Sequence, residues 1–98
     1  EEVLPRAVFS LAPNYPNPFN PATAIEFSLG EAALVRLVVY NSLGQPVREL
    51  MDETLEAGNH RIVWDGRDGQ GRPLASGTYF CRLRAGGREQ IRSMLLLK

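Results

Sequence analysis

The sequence predicts an all-β fold, an immunoglobulin-like β-sandwich of about seven antiparallel strands. Apolar and polar residues alternate over short stretches, and turn signals recur about every 8–12 residues. No segment has the period of about 3.6 residues that marks an amphipathic helix. Seven Pro and nine Gly in 98 residues suit short elements separated by turns.

Strands are predicted, in chain order, over residues 23–29, 33–40, 45–53, 59–64, 77–85 and 88–97. The apolar run at residues 8–11 is expected either to dock on the domain or to form a first edge strand. Pro46 fits a sheet edge, or the first residues of the strand at 45–53, better than a central position, because proline cannot donate to a ladder. Trp64 is expected at the centre of the core, and Tyr79 as the counterpart of the tyrosine corner of immunoglobulin-like domains.

The segment at residues 13–21, the strap, contains four prolines and therefore fits neither a helix nor a central strand. Residues before proline favour extended backbone, so a stiff polyproline strap is predicted. Its three residues per turn would place Asn14, Asn17 and Asn20 on one face. We expect Tyr15 and Phe19 to pack on the sandwich, and the strap to shield an edge strand from pairing with other molecules.

Composition excludes some function classes and bounds others. Eleven basic and eleven acidic residues give no net charge, which weighs against nucleic-acid binding. No apolar run approaches the roughly 18 residues of a membrane span, so no membrane insertion is expected. Cys81 is the only cysteine, and we expect it to be a small buried hydrophobe. We expect the chain to be a piece of a longer protein, without a signal peptide of its own, and to consist of a linker at 1–12 and a sandwich domain at 13–98.

Residues that often carry chemistry have structural explanations here. His60 shares the inward face of its strand with Trp64, so a core or rim histidine is expected. Asp65 and Asp68 lie in a Gly-rich loop and suggest calcium, but the EF-hand spacing is absent and turn capping is favoured. Tyr40 and Phe80 are predicted to face outward, either as an aromatic platform for sugars or covered by a loop or the strap. We expect no enzyme activity, no metal and no cofactor.

The last hairpin is the candidate partner-binding surface. Arg82 and Arg84 are predicted on its outward face, with further basic residues across the Gly86-Gly87 turn. The last strand is apolar on both faces at its end, so it is either covered on both sides or offers apolar surface at a free edge. The candidate partner-binding residues are Arg82, Arg84, Arg88, Arg92, Leu95 and Leu97. The alternative is that the arginines are solvated and the leucines complete the core.

Three motifs occur in order along residues 11–98: the strap with its following strand, the segment Leu43-Gly44-Gln45-Pro46-Val47, and a block that starts at Trp64. Together they resemble the C-terminal sorting domains of bacterial type IX secretion substrates. The last block is also similar to the immunoglobulin-like domain of flagellar hook-capping proteins. The motif residues are Asn14, Pro16, Asn17, Pro18, Phe19, Asn20, Pro21, Gly44, Trp64, Asp65, Gly66, Asp68, Gly71, Gly77 and Tyr79.

The resemblance implies a module at the end of a large exported enzyme or adhesin. Such a module directs its passenger from the periplasm through an outer-membrane translocon to the surface of a Gram-negative-type bacterium, and is often cleaved there. Its implied partners are the translocon and the cargo-processing machinery, and we expect a monomer. A sorting domain should end at the stop codon. The alternatives are a structural or carbohydrate-binding module of a secreted hydrolase and, third, a hook-capping domain.

Overall fold

A computed structural model describes residues 9–98, which fold into seven strands in two antiparallel sheets. The strands are β1 Ser10–Leu11, β2 Thr23–Leu29, β3 Ala33–Tyr40, β4 Pro46–Leu55, β5 Gly58–Trp64, β6 Gly77–Ala85 and β7 Arg88–Leu96. One sheet has the strand order β1-β2-β5 and the other β4-β3-β6-β7. A shared core joins the sheets, so the predicted immunoglobulin-like sandwich is confirmed.

The alternation in the sequence matches the alternation of burial in the strands. In β2 the side chains of Ile25, Phe27 and Leu29 are buried, whereas Glu26 between them is exposed. Each such burial contributes about 1.5–3 kcal/mol. The core consists of Leu11, Phe19, Ile25, Phe27, Leu29, Val35, Leu37, Val39, Trp64, Tyr79, Cys81, Leu83, Ala85, Met94 and Leu96.

Trp64 lies at the centre of an aromatic cluster, as predicted. Its ring is tilted against Phe19 with centroids 5.5 Å apart, and it meets Tyr79 edge-on at 5.7 Å. The indole Nε1 donates to the Arg67 carbonyl at 3.1 Å. The Tyr79 hydroxyl donates to the carbonyl of Ala75, four residues upstream, at 2.7 Å. Tyr79 therefore makes the hydrogen bond of a tyrosine corner, and both aromatic polar groups are satisfied.

β1 is short, yet it contacts both sheets. It pairs with β2, and the Leu11 side chain is fully buried. The Leu11 amide donates to Gln90 Oε1 at 2.7 Å, and Arg92 Nε donates to the Leu11 carbonyl at 2.8 Å. The sandwich therefore begins inside the segment assigned as linker at 1–12, with residues 10–11 as an edge strand. The rest of that prediction, residues 1–8, lies outside the described part of the chain.

β4 forms one edge of the four-stranded sheet and begins at Pro46, as its proline predicts. It extends to Leu55, two residues beyond the predicted end. Its register with β3 shifts between Leu37 and Val38 and again between Val39 and Tyr40. Such bulges twist an edge strand and make it a poorer template for pairing with another chain.

Candidate functional site

The strap is not the extended polyproline helix that its prolines predict. It bends at residues 16–18 and at 20–21, and cis peptide bonds precede three of its prolines. Asn14 is buried, whereas Asn17 and Asn20 are exposed. The three asparagines therefore do not share one face, and that prediction is wrong.

A buried hydrogen-bond network holds the first bend against β2. Asn14 Nδ2 donates to Thr23 Oγ1 at 3.0 Å and to the Pro16 carbonyl at 3.3 Å. The Thr23 hydroxyl donates to the same carbonyl at 2.8 Å. Asparagine side chains stabilise such local turns by supplying donors for backbone carbonyls. The network fixes the bent conformation, which overrides the extended preference of residues before proline.

The two strap aromatics have opposite environments. Phe19 is 2% exposed and packs on Trp64, as expected. Tyr15 is 79% exposed, so its predicted packing on the sandwich is wrong. Tyr15 exchanges both backbone hydrogen bonds with Ala24 of β2. Because it pairs like a strand residue, its side chain stands on the outer face of the three-stranded sheet.

The strap holds the end of β7, an edge strand of its sheet. The Phe19 amide donates to the Leu95 carbonyl at 2.9 Å, and the Leu97 amide donates to the Phe19 carbonyl at 3.0 Å. Asn17 Oδ1 accepts from the Leu95 amide at 2.9 Å. The shielding of an edge strand is therefore confirmed. The alternative of a free edge at residues 95–97 is wrong there, because the strap already binds these backbone groups.

Two polar side chains at this end of the sandwich have roles that the sequence analysis missed. Asn17 caps the edge of β7, and Ser76 Oγ accepts from the Lys98 amide at 2.9 Å. The sequence indicated these roles only through the residue types, because Asn and Ser side chains in turns often form hydrogen bonds with backbone groups. Their partners are about 80 and 22 residues away in sequence.

The aspartates of the Gly-rich loop cap turns. Asp65 Oδ1 accepts from the Arg67 amide at 3.1 Å, and Asp68 Oδ1 accepts from the Arg72 amide at 3.0 Å and the Gln70 amide at 2.9 Å. The hydrogen bond from the Arg72 amide, helped by that from Gln70, lowers the pKa of Asp68. The predicted capping is confirmed. Within residues 9–98, no group of three His, Cys, Asp or Glu side chains is placed to hold a metal ion.

Gly66 joins this loop to the strap. Its φ is +75°, and a Cβ built on it would lie 2.8 Å from the Pro21 carbonyl oxygen. Glycine is therefore required for two reasons: the left-handed backbone, and the close approach of the strap. Gly71 also has a positive φ, +83°, but a Cβ there would have open space around it.

The pair Gly66→Ala and Gly71→Ala separates these two effects. We expect Gly71→Ala to lower the free energy of unfolding by about 1–2 kcal/mol, the cost of a left-handed non-glycine residue. Gly66→Ala should cost at least ~1 kcal/mol more, because Pro21 must move away. Urea denaturation of both variants measures the difference. Equal losses would show that the strap does not press on Gly66.

The arginines of the last hairpin do not form one surface. Arg82 and Arg84 lie on the outer face, as predicted, but both face Glu89. Arg82 Nη2 donates to Glu89 Oε1 at 2.7 Å, and Arg84 Nε lies 3.8 Å from the same oxygen. The hydrogen bond from Arg82 lowers the pKa of Glu89. The outer face of the hairpin is therefore less basic than its arginine count suggests.

Arg88 and Arg92 lie on the opposite face of the hairpin. They are cross-strand partners of Ala85 and Cys81, whose side chains point into the core. Arg92 uses its Nε to bind β1, as described above. The four arginines therefore do not share one face, because residues two apart on β7 lie on the same side and Arg88 and Arg92 are on the side of the core.

The end of β7 is apolar on both faces, as the sequence predicts. Met94 and Leu96 are buried in the core. Among the residues that alternate with these two, Ile91 is 55% exposed, Leu95 is half-buried and Leu97 is 49% exposed. The outer face at the end of this strand therefore carries apolar side chains that are at least partly exposed.

The histidine and the cysteine are held in structural roles. His60 stacks on Phe27 with centroids 5.4 Å apart, and its Nε2 contacts the Glu56 carbonyl at 2.8 Å at the rim of the sandwich. Burial raises the pKa of the Cys81 thiol to about 12, so the thiol is protonated near neutral pH. Both positions match the sequence predictions.

Tyr40 and Phe80 are direct cross-strand partners on the outer face of the four-stranded sheet. Both rings are half-buried. The strap packs at the other side of the sheet, against the core and the end of β7, so it does not cover them. Their outward orientation is therefore confirmed.

Comparison with known families finds one match. The profile of the family described as FlgD Ig-like domain matches residues 19–88, well over half of the chain. A comparison with curated proteins finds no match. Within residues 9–98 there is no helix that is long and apolar enough to cross a membrane.

Three solved structures share the fold. One is PorZ of Porphyromonas gingivalis, which is described as an essential surface component of the type-IX secretion system. It matches with a TM-score of 0.60 and 19% identity, and the match covers 91% of this chain and 12% of PorZ. Dimeric latent PorU from the same organism matches with a TM-score of 0.69, 16% identity and coverage of 91% and 9%. FlgD from P. aeruginosa matches with a TM-score of 0.62, 23% identity and coverage of 76% and 60%. The chain thus spans only a small part of PorZ and of PorU.

Proposed function

The chain belongs to the FlgD Ig-like domain family, and from that premise we propose that it is a non-catalytic sorting module. In this proposal it directs an exported passenger protein through the outer-membrane translocon of a type IX secretion system. Its partners are the translocon and the cargo-processing machinery, and its destination is the surface of a Gram-negative-type bacterium.

The observation that carries the proposal is that the three sorting-domain motifs meet at one end of the sandwich. Phe19 of the strap packs on Trp64 of the last block, and Gly66 lies against Pro21. The Gly69 amide donates to the carbonyl of Val47, in the middle motif, at 2.9 Å. The motifs therefore build one unit that holds residues 95–98, and the resemblance rests on a connected structure rather than on scattered matches.

The share of the chain that is covered in the comparisons supports the same choice over a hook-capping domain. The family profile begins at Phe19 and leaves out β1 and most of the strap. The likeness to PorZ, which belongs to a type-IX secretion system, extends over 91% of the chain, whereas the likeness to FlgD extends over 76%. The family match keeps hook capping as the second candidate, since FlgD carries the same domain.

Positive features of the chemistry-bearing side chains support a non-catalytic role. The Cys81 thiol is buried and protonated near neutral pH, and thiolates rather than thiols are nucleophiles. His60 is fixed at the rim by a ring stack and a backbone contact. The two loop aspartates use their carboxylates on backbone amides.

An export assay tests the proposal. The chain is fused behind a signal peptide and a fluorescent passenger, and is expressed in a bacterium with a type IX pathway. We expect the passenger at the cell surface or in the medium, and expect it to stay in the periplasm when the chain is deleted from the fusion. Immunoblots of periplasm, surface and medium measure the distribution.

A translocon-deficient strain is the matched control, and there the complete fusion should stay in the periplasm. Retention in the competent strain, or equal export in both strains, would contradict the proposal. The variant Arg84→Glu/Arg88→Glu changes only exposed charges of the hairpin. If this variant keeps its melting temperature and is exported normally, the basic hairpin is not the recognition surface.

A further inference from the structure

The outer face of the four-stranded sheet carries a groove that the sorting proposal does not use. Tyr40 and Phe80 pair across β3 and β6, and Ile91 follows on β7. The turn after β3 closes one end with Ser42. The groove has a volume of about 460 Å³, within the range of about 300–1,000 Å³ typical of small-molecule sites.

The groove is apolar where the solvent-facing side of a sheet is ordinarily polar. Its floor is formed by two aromatic rings, from Tyr40 and Phe80, and by the branched side chain of Ile91. Ile91 is 55% exposed, so the apolar surface is open to a ligand.

The polar wall of the groove has one charged side chain, that of Arg82. Arg82 lines the wall and is paired with Glu89 at 2.7 Å. Hydrogen bonds with Glu89 and with the Tyr40 side chain raise the pKa of Arg82. The wall thus offers guanidinium donors and the hydroxyl groups of Tyr40 and Ser42, and the charge of Arg82 is already engaged by Glu89 outside the groove.

We propose that this groove binds a neutral saccharide, with a sugar ring stacked on Phe80 and Tyr40 and its hydroxyls bound by Arg82 and Ser42. A pyranose presents an apolar face of C–H groups and an edge of hydroxyls that both donate and accept. Aromatic rings suit the face, and the guanidinium and hydroxyl groups of the wall suit the edge.

Other ligand classes fit this arrangement less well. A carboxylate or phosphate must compete with Glu89 for Arg82. An aliphatic side chain covers the floor but desolvates the polar wall without new hydrogen bonds. A neutral ligand with one apolar face and one polar edge satisfies both surfaces. This inference is independent of the sorting role.

Nuclear magnetic resonance titration tests the site. The 98-residue chain, labelled with nitrogen-15, is titrated with neutral hexasaccharides of β-1,4-glucan, α-1,4-glucan, β-1,4-xylan and α-1,6-mannan. We expect at least one to give saturable shifts centred on the amides of Tyr40, Phe80 and Ile91. Phe80→Leu keeps an apolar side chain but removes the stacking face, and should weaken binding about tenfold.

Two further variants keep the test decisive. Ile91→Lys places a charge in the groove at an exposed position and should abolish the shifts, even if Phe80→Leu folds poorly. Val63→Ser alters a similarly exposed apolar residue on the other sheet and should leave binding unchanged. The absence of saturable shifts with all four sugars would overturn the proposal. So would unchanged binding in folded Ile91→Lys, or a response to N-acetyl-leucinamide only, which would indicate a protein partner.

Discussion

Replacing Trp64 with alanine is expected to lower the free energy of unfolding by about 3–5 kcal/mol, the usual cost of removing a large core aromatic. Trp64 is fully buried, contacts two other aromatic rings and donates a hydrogen bond. A small domain has about 5–15 kcal/mol of stability in total, so the variant will be partly unfolded at moderate temperature. Guanidinium denaturation followed by circular dichroism measures the loss.

Trp64→Phe is the graded control for this experiment. It keeps an aromatic ring against Phe19 and Tyr79 but loses the hydrogen bond to Arg67 and part of the volume. We expect Trp64→Phe to lower the free energy of unfolding by less than Trp64→Ala does. A Trp64→Ala protein with an unchanged denaturation midpoint would mean that Trp64 is not the centre of this core.

Replacing Phe19 with alanine is expected to have the second large effect, about 3–5 kcal/mol of stability together with a tendency to associate. The side chain fills the core beside Trp64, and its backbone pairs with the end of β7. Loosening the strap removes this cover from an edge strand, and uncovered edges pair with other molecules. Thermal denaturation and light scattering at several protein concentrations measure the two effects.

Tyr15→Ala is the matched control, since it removes an exposed aromatic from the same strap. We expect a change within about 0.5 kcal/mol and no association, as for other surface positions. If Phe19→Ala left stability and solubility unaltered while the export of a fused passenger failed, the strap would be a contact site rather than a structural clamp.

The fold was predictable because its determinants are local and periodic. The alternation in β2 and β6 has a period of two, which only a strand with one buried face requires. The Gly86-Gly87 turn and the bounds of β3 and β6 followed from the same pattern. The parity of Met94 and Leu96 also placed them correctly in the core.

The strap and the hairpin surface were less predictable because long-range contacts decide them. The rule for residues before proline is local, whereas Asn14 and Phe19 take their positions from Thr23 and Trp64. Arg92 resembles a solvated arginine in sequence, and only the arrival of β1 at that edge gives it a backbone partner. Sequence spacing alone cannot show contacts that join residues about 80 positions apart.

The contacts between the N-terminal segment and β7 also determine how the molecule resists force. Residues 9–11 run parallel to residues 90–92, and Phe19 continues this arrangement as a parallel bridge to Leu96. Tension between residues 9 and 98 would therefore slide these segments past each other in shear. The hydrogen bonds to Gln90, Arg92, Leu95 and Leu97 would be loaded together rather than broken one at a time. These hydrogen bonds would therefore have to break together before residue 9 or residue 98 could be pulled away from the sandwich.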